Sequence, residues 1–293
     1  MNIVACIKQV PDVEGRIVVD HGVVSVEELV RSVATNPRDV LAVEAALSVR
    51  DTSPDSRVTL VSLGGDDTEE VLRRGLAMGA DDALRLDIPA FEDADSYAIA
   101  AALAAAIGPL APDLVFCGQR ADDTQAGLVG SYLAELLGIG IVRGVVKVQL
   151  DAESGRLVVH QKLDRGDRLV VECLPPAVIT VETGVNTPRN ATIKGVLKAR
   201  RKEIPKQGLA DLGLTREKTG TAASRVRMTR LTPPKPRMKG LFVPDSNLSS
   251  TDKLRMIMGG GMTQKTSDFL EGDAENSARQ LVRFFTEQKI VFG

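Results

Sequence analysis

Two histidines, three cysteines and no paired-histidine or CxxC spacing leave this 293-residue chain short of catalytic furniture. His21 stands in the turn-like Asp20-His21-Gly22, and His160 in a stretch where apolar and polar residues alternate. Both are positions of ordinary surface residues. Cys6, Cys117 and Cys173 lie far apart in the sequence, which argues against a zinc or iron–sulfur site and for a reducing compartment. The neighbours Asp122 and Asp123 could act as metal ligands or as an acid/base pair, but adjacent carboxylates before a helix more commonly cap it. No metal site and no catalytic residue is expected. The chain is richer in backbone groups that could hold a phosphate. Gly64-Gly65 lets the main chain approach a ligand closely, and residues 118–127 form a polar, glycine-bounded loop. Gln125 to Gly127 are expected to open a helix whose free N–H groups favour an anion, with Thr124 and Gln125 adding side-chain donors. Neither a Walker A motif nor GxGxxG is present, which disfavours ATP hydrolysis and a Rossmann dinucleotide grip. These residues describe a nucleotide held mainly by main-chain amides, with any electron chemistry belonging to a cofactor.

Such residues need a scaffold that delivers them to one edge. Residues 3–10 form an apolar run suited to a strand buried on both faces. Asn36 is placed to cap a helix with Pro37 at its first position and Val40, Val43 and Leu47 on one side. Residues 57–63 read as a second strand ending at Gly64-Gly65. Asp66 or Asp67 caps the next helix, which buries Val71, Leu72, Leu76 and Met78 and stops at Gly79. A third strand (83–86), a helix (97–107), a fourth strand (113–117) and a helix over about 125–137 follow. This alternation predicts right-handed crossovers and a parallel sheet with helices on both faces. Ligands of such sheets sit beyond the carboxyl ends of the strands, which selects residues 6–8, 36–39, 63–65 and 118–127. Residues 142–150, 156–163 and 168–173 alternate apolar and polar, as an antiparallel meander does, and 177–181 returns to a buried strand.

Beyond Glu182 the pattern thins. Residues 189–239 carry 15 Lys/Arg against 3 Asp/Glu, in a chain whose formal net charge is only −2. Pro233, Pro234 and Pro236 favour an extended path, a Gly259–Gly261 cluster follows, and 273–288 forms an amphipathic helix with Ala278, Leu281, Val282 and Phe285 on one face. That tail has the make-up of an arm laid on a partner subunit. Aromatic residues make up 3% of the chain, so base-stacking on nucleic acid is not expected even from the basic stretch. No apolar run reaches the roughly 20 residues of a spanning helix. The first residues lack a basic targeting region, so a cytoplasmic location is expected.

The blocks Lys8-Gln9-Val10-Pro11-Asp12, Asn36-Pro37-Arg38-Asp39 through Ala46, Val61 to Gly64 and Leu76 to Asp81 resemble the beta subunit of electron transfer flavoprotein. So do Leu174-Pro175-Pro176-Ala177 through Val181 and Asn186-Thr187-Pro188-Arg189-Asn190-Ala191-Thr192-Ile193, with the basic run 198–202 behind them. They fall in order over about the first two-thirds of the chain. The resemblance implies an α/β fold of the flavodoxin-like, adenine-nucleotide-binding doubly wound type, with a mostly parallel sheet, an added antiparallel meander and an extended C-terminal arm ending in a helix. Residues 1–188 would form the nucleotide-binding domain and 189–240 a basic recognition loop and linker. Residues 241–293 would form an arm packing on an alpha subunit that carries most of an FAD site.

In one branch of that family the beta subunit buries a structural AMP; in the bifurcating branch a second FAD takes electrons from NADH. The resemblance carries nucleotide contacts onto Cys6, Asn36, Asp39, Leu63, Gly118, Asp123, Thr124, Gln125 and Gly127, beside Gly64 from the sheet argument. It also carries a docking site for an acyl-CoA dehydrogenase onto Ile193, ringed by Lys194, Lys198, Arg200 and Arg201, in a recognition segment spanning 182–202. A membrane-bound quinone reductase is a further partner implied. Departures are informative. The family's AIDGDTxQVGP loop here reads Arg120-Ala121-Asp122-Asp123-Thr124-Gln125-Ala126-Gly127, shorter and followed by Leu128. Arg38 and Lys162 stand where relatives commonly carry an aromatic and a carboxylate near the flavin or the subunit boundary, so either cation is expected to raise a flavin potential. The reading from another class, a nucleotide sensor of the universal-stress type, predicts a homodimer and leaves residues 189–293 without a use.

Overall fold

The computed structural model describes residues 1–11, 17–20, 23–26, 33–88, 94–151, 154–215, 219–226, 229, 249–258 and 273–287. His21 and Gly259–Gly261 lie outside the described residues. The chain divides into two units, Met1–Pro233 and Pro234–Gly293.

The first unit opens with β1 (Asn2–Cys6) and β2 (Gln9–Pro11), then β3 (Ile17–Asp20), β4 (Val23–Val26) and β5 (Val33–Thr35). β2 pairs antiparallel with β5 and β3 with β4, two small ribbons with no counterpart in the sequence reading. Next come α1 (Pro37–Thr52), β6 (Arg57–Leu63), α2 (Thr68–Met78), β7 (Asp82–Leu86), α3 (Ser96–Ile107), β8 (Leu114–Gly118) and α4 (Val129–Leu137). The meander is β9 (Gly140–Leu150), β10 (Leu157–Lys162) and β11 (Arg168–Cys173), followed by β12 (Ala177–Val181). The unit closes with α5 (Ile193–Arg201), β13 (Lys206–Gln207) and α6 (Gly220–Ala223).

Nine strands make one sheet in the order β11-β10-β9-β12-β8-β1-β6-β7-β13. Only the β9–β10 and β10–β11 pairs are antiparallel. The other pairings are parallel, so the fold is the expected doubly wound α/β sheet with an attached meander. Along the chain, the central strands β7, β6, β1, β8 and β12 run third, second, first, fourth, fifth. The order therefore reverses between β1 and β8, and a crevice opens there. Burial on both faces explains the apolar runs: Ile3, Ala5 and Ile7 join a core with α1 and α2, while Val4 and Cys6 join a second core with α3 and α4. Small residues let the helices sit close to the sheet. A Cβ on Gly75 of α2 would lie 2.5 Å from a Leu60 methyl, and one on Gly130 of α4 would lie 2.5 Å from a Thr180 methyl.

Three local expectations are corrected. Asn36 precedes α1 with Pro37 at its start, but its side chain makes no capping bond; it is drawn to the loop after β8 instead. Asp67 stands before α2 likewise without a side-chain cap. The helix expected from 125 begins at Val129, because Gln125 (φ +52°) and Gly127 (φ +63°) take left-handed conformations that a right-handed helix cannot contain. Within the basic stretch after 189, β13 adds to the sheet beside β7, and α5 packs on α2.

In the second unit the described elements are α7 (Ser250–Met258) and α8 (Ala274–Glu287), close to the expected 273–288. Leu281, Val282 and Phe284 of α8 are exposed. Among the described residues, no helix is long and apolar enough to cross a membrane, and no three His, Cys, Asp or Glu side chains gather as metal ligands.

Candidate functional site

The crevice at the β1/β8 reversal is a cavity of about 560 Å³, a size typical of small-molecule sites. It is lined by Cys6 and Cys117 near the ends of the two strands, by Leu63, Gly64 and Gly65 after β6, and by residues of the loop after β8 and the start of α4. Ile88, Ile99, Leu103 and Val129 give the lining apolar surface. Of the expected contacts, Cys6, Asp39, Leu63, Gly64, Gly118, Asp123, Thr124 and Gly127 all line this one space. Asn36 and Gln125 do not; each acts on the loop that does.

Asp39 splices the two strand ends. Delivered by the first turn of α1, it accepts the Lys8 N–H at 2.8 Å on Oδ2 and the Gly118 N–H at 3.1 Å on Oδ1. Burial pushes its carboxyl up to about 7, against the pull of Asn36 and of the two main-chain donors. Gly118 is the only residue type that fits here. A Cβ would lie 2.3 Å from Asp39 Oδ1 and 3.0 Å from the Arg38 carbonyl carbon. Gly64 is as tightly placed, since a Cβ would meet Thr68 Oγ1 at 2.1 Å. Both close approaches leave bare main chain facing the cavity.

The 118–128 loop is held from beneath. Asn36 donates its amide to the Arg120 carbonyl oxygen (3.2 Å) and accepts from the Asp122 N–H (3.3 Å), which is why it is not a cap. Gln125 donates to Asp122 Oδ1 at 3.3 Å. The two adjacent carboxylates go separate ways: Asp122 pairs with Arg38 at 2.6 Å and Asp123 with Lys8 at 2.5 Å. Lys8 and Arg120 both line the cavity, so both are cations within reach of an anion bound there. Sequence reasoning placed residues 6–8 on this edge without a role for Lys8.

Arg38 does not line the cavity. It bridges Asp122 and Glu182 (2.8 Å), and Glu182 also accepts from Arg120 at 3.0 Å. Burial would raise the Glu182 carboxyl, but the Thr183 N–H, Arg38 and Arg120 outweigh it and hold it at about 2. The Arg38 charge is therefore matched by two carboxylates rather than presented free. Lys162 ends β10 in an exposed position, close to Gly144, whose N–H is bound by Gln119 and Thr180.

Glu182 also begins the segment that leads to α5. Arg189 within it donates to the buried Glu44 of α1 through Nε and Nη2 (2.9 Å each) and through its own N–H (3.0 Å). Thr192 then caps α5 by accepting the Gly195 N–H at 3.0 Å. Arg73 of α2 caps the other end, donating to the carbonyl oxygens of Ala199, Arg200 and Lys202. Gly195 lies against α2 so closely that a Cβ would sit 2.5 Å from the Ala77 oxygen. The result is a rigidly mounted short helix rather than a loop. Ile193 projects from its start with 83% of its surface exposed, next to exposed Lys194, Leu197, Lys198, Arg200 and Arg201.

Comparison with known proteins gives the chain's family. Residues 26–212 match the family profile described as electron transfer flavoprotein domain. The chain is 35% identical over 256 residues to the electron transfer flavoprotein subunit beta of Megasphaera elsdenii, covering 84% of this chain and 93% of that protein. It is 34% identical to the caffeyl-CoA reductase-Etf complex subunit CarD of Acetobacterium woodii, over 78% of this chain and 87% of the relative. It is 32% identical to the subunit beta of Methylophilus methylotrophus, over 79% and 88%.

Proposed function

This chain belongs to the electron transfer flavoprotein family on its beta-subunit side, and on that premise we propose that it holds an adenine nucleotide in the β1/β8 cavity while a redox flavin is carried mainly by an alpha subunit. The observation that carries the nucleotide reading is the convergence of bare main chain on one space, with Gly64 and Gly118 too crowded for any side chain. Lys8 supplies a cation at the mouth, and Ile88, Ile99 and Leu103 supply an apolar wall for a ring system. A bound FAD supplies the electron-accepting and electron-donating chemistry. This chain's residues position and exclude: Asn36 and Asp39 fix the loops, the apolar wall keeps water from the ring, and α8 offers an apolar face to the alpha subunit.

The α5 helix is the docking element for an acyl-CoA dehydrogenase or similar partner. Ile193 provides a small apolar anchor and the surrounding cations steer the encounter, an arrangement suited to a transient contact. A quinone-linked reductase is the second exchange partner, and the cytoplasm is the compartment. AMP is the expected occupant of the cavity, and a second FAD is the occupant in the bifurcating reading. Acid extraction of the co-purified alpha–beta complex, followed by chromatography of the released nucleotides, tests this. One FAD with one AMP supports the carrier, and two FAD with rapid reduction by NADH supports bifurcation. A colourless complex that releases no adenylate overturns both.

A further inference from the structure

Cys6 ends β1 and Cys117 is the last residue but one of the neighbouring parallel strand β8, at the point where the sheet order reverses. β1 and β8 pair with Ala5 opposite Phe116, so the next residue of each strand stands beside the other. Both side chains belong to the apolar cluster on the α3–α4 face, and both line the cavity. Adjacent strands run about 4.8 Å apart, within the roughly 4.4–6.8 Å Cα separation that disulfides span. The neighbouring Cys6 side chain, together with burial, makes Cys117 hold its proton more tightly than a free thiol. Cys173 differs in kind. It sits half-buried on β11, and its Sγ faces the Leu174 carbonyl oxygen at 3.8 Å.

We propose that Cys6 and Cys117 form an oxidisable dithiol in the cavity wall, which a peroxide converts to a disulfide when the cavity is open to it. Cys6 is the attacking sulfur, since Cys117 retains its proton. The Cys6 thiolate attacks one peroxide oxygen, the O–O bond breaks, and the other oxygen leaves as water after taking a proton. Cys117 then attacks the Cys6 sulfenic acid: the S–S bond forms, the S–O bond breaks, and a second water departs. In sum, two thiols lose two electrons and two protons, and one peroxide becomes two waters. The link falls beside Lys8 and Gly118, whose N–H groups Asp39 holds, so it changes the wall against which a ligand lies. A reducing dithiol reverses it.

Shielding of the pair by a nucleotide rests on the reading above; formation of the link does not. The alpha–beta complex, freed of nucleotide and treated with hydrogen peroxide, should yield on non-reducing digestion one peptide pair joining Cys6 to Cys117, lighter by two hydrogens. Dithiothreitol should remove it, C6S and C117S should each abolish it, and C173S should leave it in place. Should a cysteine substitution impair folding, dithiothreitol reversal in the unaltered protein carries the test. Oxidation of Cys173 alone, or sulfinic acid at Cys6 or Cys117 without a link, overturns the proposal. Added AMP that slows the link supports both readings. A link formed at the same rate with AMP removes the nucleotide from the cavity and leaves the dithiol standing.

Discussion

Replacing Asp39 with asparagine sets burial against hydrogen bonding at the centre of the sheet. Asp39 is 7% exposed, and its carboxyl has one main-chain donor on each oxygen, at 2.8 and 3.1 Å. Burial nevertheless pushes it from its ordinary 3.8 up to about 7. A carboxyl whose folded pKa lies above its unfolded one keeps its proton in the native state through the window between them. From about pH 4 to about pH 7 the native chain thus binds more protons than the unfolded chain, and stability falls as pH rises through that window. At about 1.4 kcal/mol per unit, a shift of this size is worth about 4 kcal/mol. Asparagine does not titrate and so lacks the slope. Its amide also turns a donor toward one of the two N–H groups, a pH-independent loss of about 1–3 kcal/mol that offsets the curve without tilting it.

The measurement is urea unfolding of the parent and D39N complexes at half-unit steps from about pH 4 to about pH 8. Relative to the parent, D39N should gain about 4 kcal/mol across that range. Groups common to both proteins cancel in the difference, including Glu182, whose carboxyl is held down at about 2 and whose contribution is lost only as pH falls toward that value. A difference that stays flat would mean that the two N–H donors keep Asp39 ionised throughout, and the burial argument would be wrong.

Four further outcomes are expected. Arg189→Ala leaves Glu44 buried without its counter-ion and should cost about 3 kcal/mol by urea unfolding, with earlier proteolytic cleavage between 182 and 193. Gly118→Ala forces a methyl toward Asp39 and the Arg38 backbone; it should cost about 1–3 kcal/mol in stability and lower the yield of co-purifying nucleotide. Ile193→Ala should change stability by under about 0.5 kcal/mol, as its exposure requires. In the docking reading it nonetheless weakens dehydrogenase affinity about 30-fold, as loss of a 2 kcal/mol hot spot would, measured by steady-state electron transfer at varied carrier concentration. Potentiometric titration of Arg38→Ala and Lys162→Ala complexes tests the expected effect of these cations. Arg38→Ala leaves Asp122 without its cation and Glu182 with Arg120 alone, and should lower a nearby flavin couple more than Lys162→Ala does; unmoved couples in both would reject the idea.

How much of this was legible in the sequence depends on how far apart the cooperating residues lie. The parallel strands show themselves because a strand buried on both faces needs a continuous apolar run, as in 57–63. Pro37 marks the start of α1 for an equally local reason. The edge of the sheet that gathers Cys6, Asp39, Gly64 and Gly118 then follows from topology alone. What stayed hidden are pairings across long stretches of chain. Glu44 with Arg189, Arg38 with Glu182, and Arg73 with the end of α5 join residues separated by 126 to 145 positions. No periodicity records such a partner. The same blindness misplaced Asn36, read as a cap from its position before Pro37 although its amide is taken by a loop 84 residues away. It also hid how α5 is mounted: its docking role was expected from the family resemblance, but not the contacts of Arg73 and Gly195 that hold it. In α5 the carbonyl end is tied down by Arg73, Gly195 is pressed on α2 and Ile193 is left outside; the proposed docking rests on these three features, each made across a long stretch of chain or by exposure alone.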